Sequence, residues 1–230
     1  MDFRPNYIQL IARLSRRRVQ ATTILDDQVR GVLCPWELRF LGESLLSNIW
    51  LDWNNFVKYV LVASCAGTFS RSNLNIPSRI LADNSEARIR HEFKRYSKGA
   101  LPTPTGVDNG QIEPTWAHPD YLVTCLTGLG PANVGALQDA FGSGGLAGAR
   151  RIHLVRNACA HKSKANRVGV KALRAFYSTP HFMDPIDILW GKSGVNGIAI
   201  YEWILDLETM AELATEVRRH LPDFLIFPAR

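Results

Sequence analysis

The sequence predicts an all-α protein, an up-and-down helical bundle with peripheral additions. Apolar residues recur at three-to-four spacing along most of the chain, proline and glycine breaks set the candidate helices apart, and the last apolar stripe again has helical period. Ile8, Ile11, Ala12 and Leu14 predict a short amphipathic helix that ends in a cluster of Arg13, Arg16, Arg17 and Arg18. That cluster reads as a solvated helix face or as part of an RNA-contacting surface. Pro35 then looks like a helix start, and Trp36 to Phe69 is the longest candidate. Leu38, Leu41, Leu45, Ile49, Phe56, Tyr59 and Leu61 repeat along it with one polar interruption, Asp52. Trp50 and Trp53 add bulk on neighbouring faces, as bundle core would require.

Pro77-Ser78 is expected to open a charged helix reaching about Lys98, with His91-Glu92 facing solvent. Residues 99–119 are rich in Pro, Gly and Thr and hold the turn signal Asp108-Asn109-Gly110, so they read as a long loop. Short helices follow over about 119–126 and 132–141, separated by Gly128-Leu129-Gly130-Pro131. After the Gly-Ser-Gly-Gly break at 142–145, Leu146 to about Lys162 reads as a helix with Leu146, Ala149, Ile152, Leu154, Val155, Ala158 and Cys159 on its apolar side. A further helix is expected over Val168–Tyr177, and a short hairpin from 187–190 and 198–201. The last helix, about Ile204 to Leu221, carries a stripe of Leu207, Met210, Leu213, Ala214, Val217 and Leu221. These segments group as a basic helical extension (1–34), the bundle (35–178) and a hairpin plus amphipathic helix packing on it (179–230).

Of the 230 residues, 46% are apolar, which is enough for one sizeable core. The formal charge of +6, from 27 Lys and Arg against 21 Asp and Glu, is compatible with a polyanionic partner without demanding one. Cys34, Cys65, Cys125 and Cys159 form no C-x-x-C pair, which argues against a structural zinc or a disulfide framework and for buried thiols in a reducing cytosol. The start Met-Asp-Phe-Arg-Pro-Asn has no apolar core of signal-peptide type, and the uncharged run 59–70 is too short to span a bilayer. A cytoplasmic protein without membrane association is the expectation.

The stretch Arg156-Asn157-Ala158-Cys159-Ala160-His161 carries the chemistry. Arginine has a permanent charge and a planar fork of donors that suits phosphate. Histidine takes and gives protons near neutral pH. RNA brings its own nucleophile, the 2′-OH, so an imidazole and a guanidinium are a minimal kit for cutting it. Arg156 and His161 are the candidate catalytic pair, with Asn157 orienting the imidazole or binding phosphate or ribose. Five residues turn an ideal helix through roughly 500°, which leaves Arg156 and His161 about 140° apart. His153, Asn157 and His161 share a face instead. His153 reads as a substrate contact or as a partly buried histidine satisfied by a neighbour. Arg150, Arg151 and Lys162 read as substrate-binding cations or as solvated helix surface. Without a catalytic role, Arg156 and His161 read as cations favouring a helix C-terminus.

The R-N-x-x-A-H pattern, with its apolar lead-in Ile152, Leu154 and Val155, resembles the signature of HEPN-domain ribonucleases over about fifteen residues, and the helical context agrees. The resemblance implies a HEPN-like bundle and a metal-independent endoribonuclease that uses no cofactor and leaves a 2′,3′-cyclic phosphate and a 5′-hydroxyl. It implies a homodimer in which paired motifs meet in a cleft, a toxin or antiphage abortive-infection role, and restraint by a cognate antitoxin or regulatory protein. Two alternatives stay open: an inactive HEPN partner, and a DNA-binding module. The second rests on Leu126-Thr127-Gly128-Leu129-Gly130-Pro131-Ala132 with Phe141-Gly142-Ser143, which resembles a helix-hairpin-helix turn. Glu43, among apolar neighbours, is a candidate polar contributor to a cleft. Gly191-Lys192-Ser193 lacks the upstream glycine of a phosphate loop, and no acidic pair stands at metal-ligand spacing.

Overall fold

Asp2 accepts the backbone N–H of Arg4 at 2.8 Å and so opens α1, Phe3–Val29. In this computed structural model, residues 2–79, 83–103, 105–108, 110, 112–144, 146–161, 163–179, 182–194 and 197–216 are described. The first helix does not end at the arginine cluster. No glycine or proline interrupts the chain between Asn6 and Val29, and the helix stops only before Gly31, whose φ of 71° suits glycine. Arg13, Arg17 and Arg18 are wired into the fold. Arg13 and Arg17 both reach Asp52, at 3.2 and 3.1 Å, and Arg18 reaches Glu208 at 2.8 Å. Asp52, the polar interruption of the second helix, is the buried anchor of this pair.

That second helix, α2 (Pro35–Ala66), begins with proline and a Glu37 carboxylate that accepts the Cys34 N–H at 2.9 Å. Leu46, Ile49, Trp53, Val57, Val60 and Leu61 are buried, so α2 is the central helix, against which α1 packs. Two short strands, β1 (Thr68–Phe69) and β2 (Asn75–Ile76), pair antiparallel. The third helix, α3, is Glu86–Tyr96 and starts at the Ser85 cap, not at Pro77. Glu92, expected to face solvent, is buried between Arg79 and Arg88. The long segment after α3 contains neither helix nor strand among its described residues. It is pinned at its far end: Trp116 is buried on Phe93 with ring centroids 4.6 Å apart, and the Ala117 N–H donates to Asn54 Oδ1 at 3.1 Å. Asn109 of the expected turn lies outside the described residues, although Gly110 N–H does donate to Asp108 Oδ1 at 2.8 Å.

Helices α4 (Leu122–Leu129), α5 (Val134–Gly142), α6 (Gly148–His161) and α7 (Lys164–Ala172) follow. A short 3₁₀ turn, Leu173–Ala175, and strand β3 (Tyr177–Ser178) replace the second half of the helix expected to reach Tyr177. The expected hairpin is not formed by 187–190 and 198–201. Pro185–Trp190 is a buried 3₁₀ helix closed by Asp184 and Asp187, and 199–201 begin the last helix. The pairing partner of β3 is instead β4, Lys192–Ser193. The last helix, α8 (Ala199–Thr215), packs on α1, α5 and α6. Val217 and Leu221 of its expected stripe lie outside the described residues. One hydrophobic core runs from Phe3 through Trp53 and Ile152 to Trp203, joining the three segments anticipated from sequence. The protein is all-α apart from these two-residue strands. Among the described residues no helix is long and apolar enough to cross a membrane.

Candidate active site on the outer face of α6

Ile152, Val155 and Ala158 turn α6 inward, toward α2 and α8. With the core side fixed, helix geometry puts Arg150, His153, Asn157 and His161 on the opposite side within an arc of about 80°. Arg156 lies at the margin between the two sides. Its Nη1 donates to Asn157 Oδ1 at 3.1 Å, and Asn157 Nδ2 stands 3.0 Å from His153 Nε2. The Asn157 carbonyl accepts from the Asn166 side chain at 3.4 Å, so α7 closes the last turn of α6. Ser163 caps α7 by accepting the Asn166 N–H at 3.2 Å.

His153 lies against the Trp50 ring, with centroids 4.9 Å apart. Its other neighbour is His118, edge to face at 4.4 Å. His118 is delivered by the pinned end of the long loop and stacks on Tyr121 at 4.2 Å and 9°. Burial lowers the His118 pKa from its ordinary value; Asp120 raises it and Arg150 lowers it. Burial pushes His153 down to about 4, with His118, Arg156 and Arg150 adding to that and Asp120 opposing it. Arg150 and Asp120 pair at 3.2 Å, each side chain 65% exposed, so this rim contact contributes little to stability.

The predicted residues therefore divide. Arg156, Asn157 and His153 are brought together, and Asn157 engages His153, not His161. His161 is exposed at the end of α6, one turn beyond Asn157. Arg150 stands at the rim. Arg151 turns away: it donates to the Tyr177 hydroxyl, which also accepts from Trp203 Nε1 at 2.9 Å, and its guanidinium lies over the Phe176 ring. Its work is to hold β3 against α8. Lys162 lies outside the described residues. His118 was missed, because a histidine at the end of a Pro- and Thr-rich loop has no periodicity to place it. Its one sequence signal is the buried Trp116-Ala117 just before it.

Elsewhere, Glu43, Cys159 and Asp184 bring potential metal-ligand atoms within 4.8 Å of one another. They come from α2, α6 and the 3₁₀ helix start, so linear spacing gave no sign of them. Asp184 already caps Ile186 N–H at 3.3 Å. In the glycine turn between α4 and α5, the Gly130 N–H is spent on Leu126 O, and a Cβ on Gly128 would meet the Tyr96 ring at 2.7 Å. These glycines serve helix termination and packing. No protein-family model matches this chain, and neither a curated protein nor a solved structure matches it.

Proposed function

We propose that this protein is a metal-independent endoribonuclease that works at the outer face of α6. The observation that carries the reading is the hydrogen-bonded row Arg156–Asn157–His153, with His161 on the same face one turn on. It joins a fixed cation, a polar orienting group and imidazole rings at one surface, the types of group that phosphodiester transfer to the 2′-OH uses. The 2′-oxygen attacks phosphorus and gives its proton to an imidazole. The P–O5′ bond breaks, and the leaving 5′-oxygen takes a proton from an imidazolium. Arg156 meets the charge on the non-bridging oxygens. Products are a 2′,3′-cyclic phosphate and a 5′-hydroxyl. A toxin or abortive-infection effector, acting as a homodimer and held in check by a partner protein, is the setting that the HEPN resemblance implies.

The test is incubation of labelled RNA with the full chain in EDTA, beside Arg156→Ala and His161→Ala. Cutting to cyclic-phosphate ends is expected, with each variant slower by about 10²–10⁴-fold. RNA left intact by the wild type ends this reading.

A further inference from the structure

Asn157 sits between a group that can only donate and a ring whose state it thereby fixes. Arginine has no acceptor, so Asn157 turns Oδ1 to Arg156 and Nδ2–H to His153. His153 Nε2 must accept, and the neutral ring carries its proton on Nδ1. His118 is fixed in the same way. Its Nδ1 accepts the Asp120 backbone N–H at 3.3 Å, so the neutral ring carries its proton on Nε2. Neither ring offers a free lone pair in this state; each offers one N–H. The rings touch, with centroids 4.4 Å apart, and Trp50 and Tyr121 hold them from behind. Both are half-buried; Arg150 acts electrostatically on both rings and Arg156 on His153.

We propose that His118 and His153 form a phosphate-recognition site, each donating one N–H from a neutral ring to the non-bridging oxygens of a phosphodiester. The rings are pre-set by aromatic contacts and hydrogen bonds, so little ordering is needed on binding. The charged groups around the pair are Arg150, Arg156 and Asp120, two cations to one carboxylate. A phosphodiester displaces Asp120 from Arg150 and leaves both guanidiniums facing the anion. The site rests on the endoribonuclease reading only for the claim that its phosphodiester belongs to RNA.

The experiment uses the full chain with ¹⁵N-labelled histidines and long-range imidazole NMR at pH 7. Two probes are added: inorganic phosphate, and a short 2′-O-methyl RNA whose blocked nucleophile prevents cutting. The free protein is expected to show the Nδ1–H form of His153 and the Nε2–H form of His118. Both rings are expected to respond to the RNA. His118→Ala should weaken RNA binding roughly tenfold, while His118→Gln, which keeps a donor, stays within a few-fold. The opposite tautomers, or RNA binding that leaves both rings unmoved, overturns the proposal. A response to phosphate alone also overturns it, since the site would then be one for a free ion. Cleavage of unmodified RNA with unmoved rings sinks this site and spares the enzyme reading. Ring responses to the RNA without cleavage do the reverse.

Discussion

Asn157 decides the protonation of this face. A protonated His153 would carry hydrogen on Nε2, against the Nδ2–H that Arg156 has turned toward it. This adds to the burial that holds His153 down to about 4. The unfolded chain, with a histidine near 6.5, takes up the proton first. Stability is therefore lost as pH falls from about 6.5 to about 4 and is level below that. The ring is half-exposed, so solvent screening cuts the loss to on the order of 1–2 kcal/mol. Asn157→Asp supplies an acceptor and a charge, and should raise the His153 titration by a unit or more. It should also flatten the fall in urea midpoint over that pH range. An NMR titration in which His153 stays put in the Asn157→Asp variant refutes this account. The sequence placed Asn157 beside an imidazole, but a spacing of four residues serves His153 and His161 equally. The structure pairs Asn157 with His153, the ring that His118, arriving from a loop, packs against.

Elements were readable wherever a breaker or cap stood at the right place. Pro35 opens α2 and Gly130 separates α4 from α5, but the helix expected to reach Phe69 ends at Ala66, before Gly67 with its φ of 91°, and Thr68–Phe69 is strand β1. Elements were misread where side-chain chemistry is decided by a partner far along the chain. The Arg13–Arg18 cluster looked like a helix end because Asp52 and Glu208 are distant in sequence. The segment 187–190 looked like a hairpin strand, since burial on α2, α6 and α8 is what makes it part of a 3₁₀ helix. The crossing of α6 and α8 is another such feature. Gly148 donates its N–H to Asp206 Oδ2 at 2.7 Å, and a Cβ there would stand 2.7 Å from Trp203 O and 3.0 Å from Trp203 Cα. Backbone cannot yield as a side chain does. Gly148→Ala should destabilise by about 1–3 kcal/mol in urea unfolding. Gly144→Ala, with nothing within 4 Å of the added carbon, serves as the control and should change little. Equal stability of the two variants would mean that α6 does not approach α8 this closely.

At the scale of the whole molecule, helix geometry sets the two motif groups apart along one helix. His161 stands about 140° round from Arg156 and about 12 Å along the axis from His153. The Arg156–Asn157–His153–His118 group is complete within one chain, whereas His161 is exposed at the helix end, before an α7 whose Val168 is 60% exposed. In the proposed endoribonuclease, His161 reaches that group from a second copy, through an isologous contact that places each His161 over the other chain's Arg156. Mixing Arg156→Ala with Arg-intact His161→Ala tests this directly. Random exchange makes half of the dimers mixed, and each mixed dimer holds one intact site of two. Metal-free RNA cutting should therefore return to about one quarter of the wild-type rate, from near zero for either variant alone. The recovery should vanish on dilution below the dimer dissociation constant, because the site is then taken apart. A mixture as inactive as its components, at concentrations where sedimentation shows dimers, means that Arg156 and His161 do not serve one site across two chains.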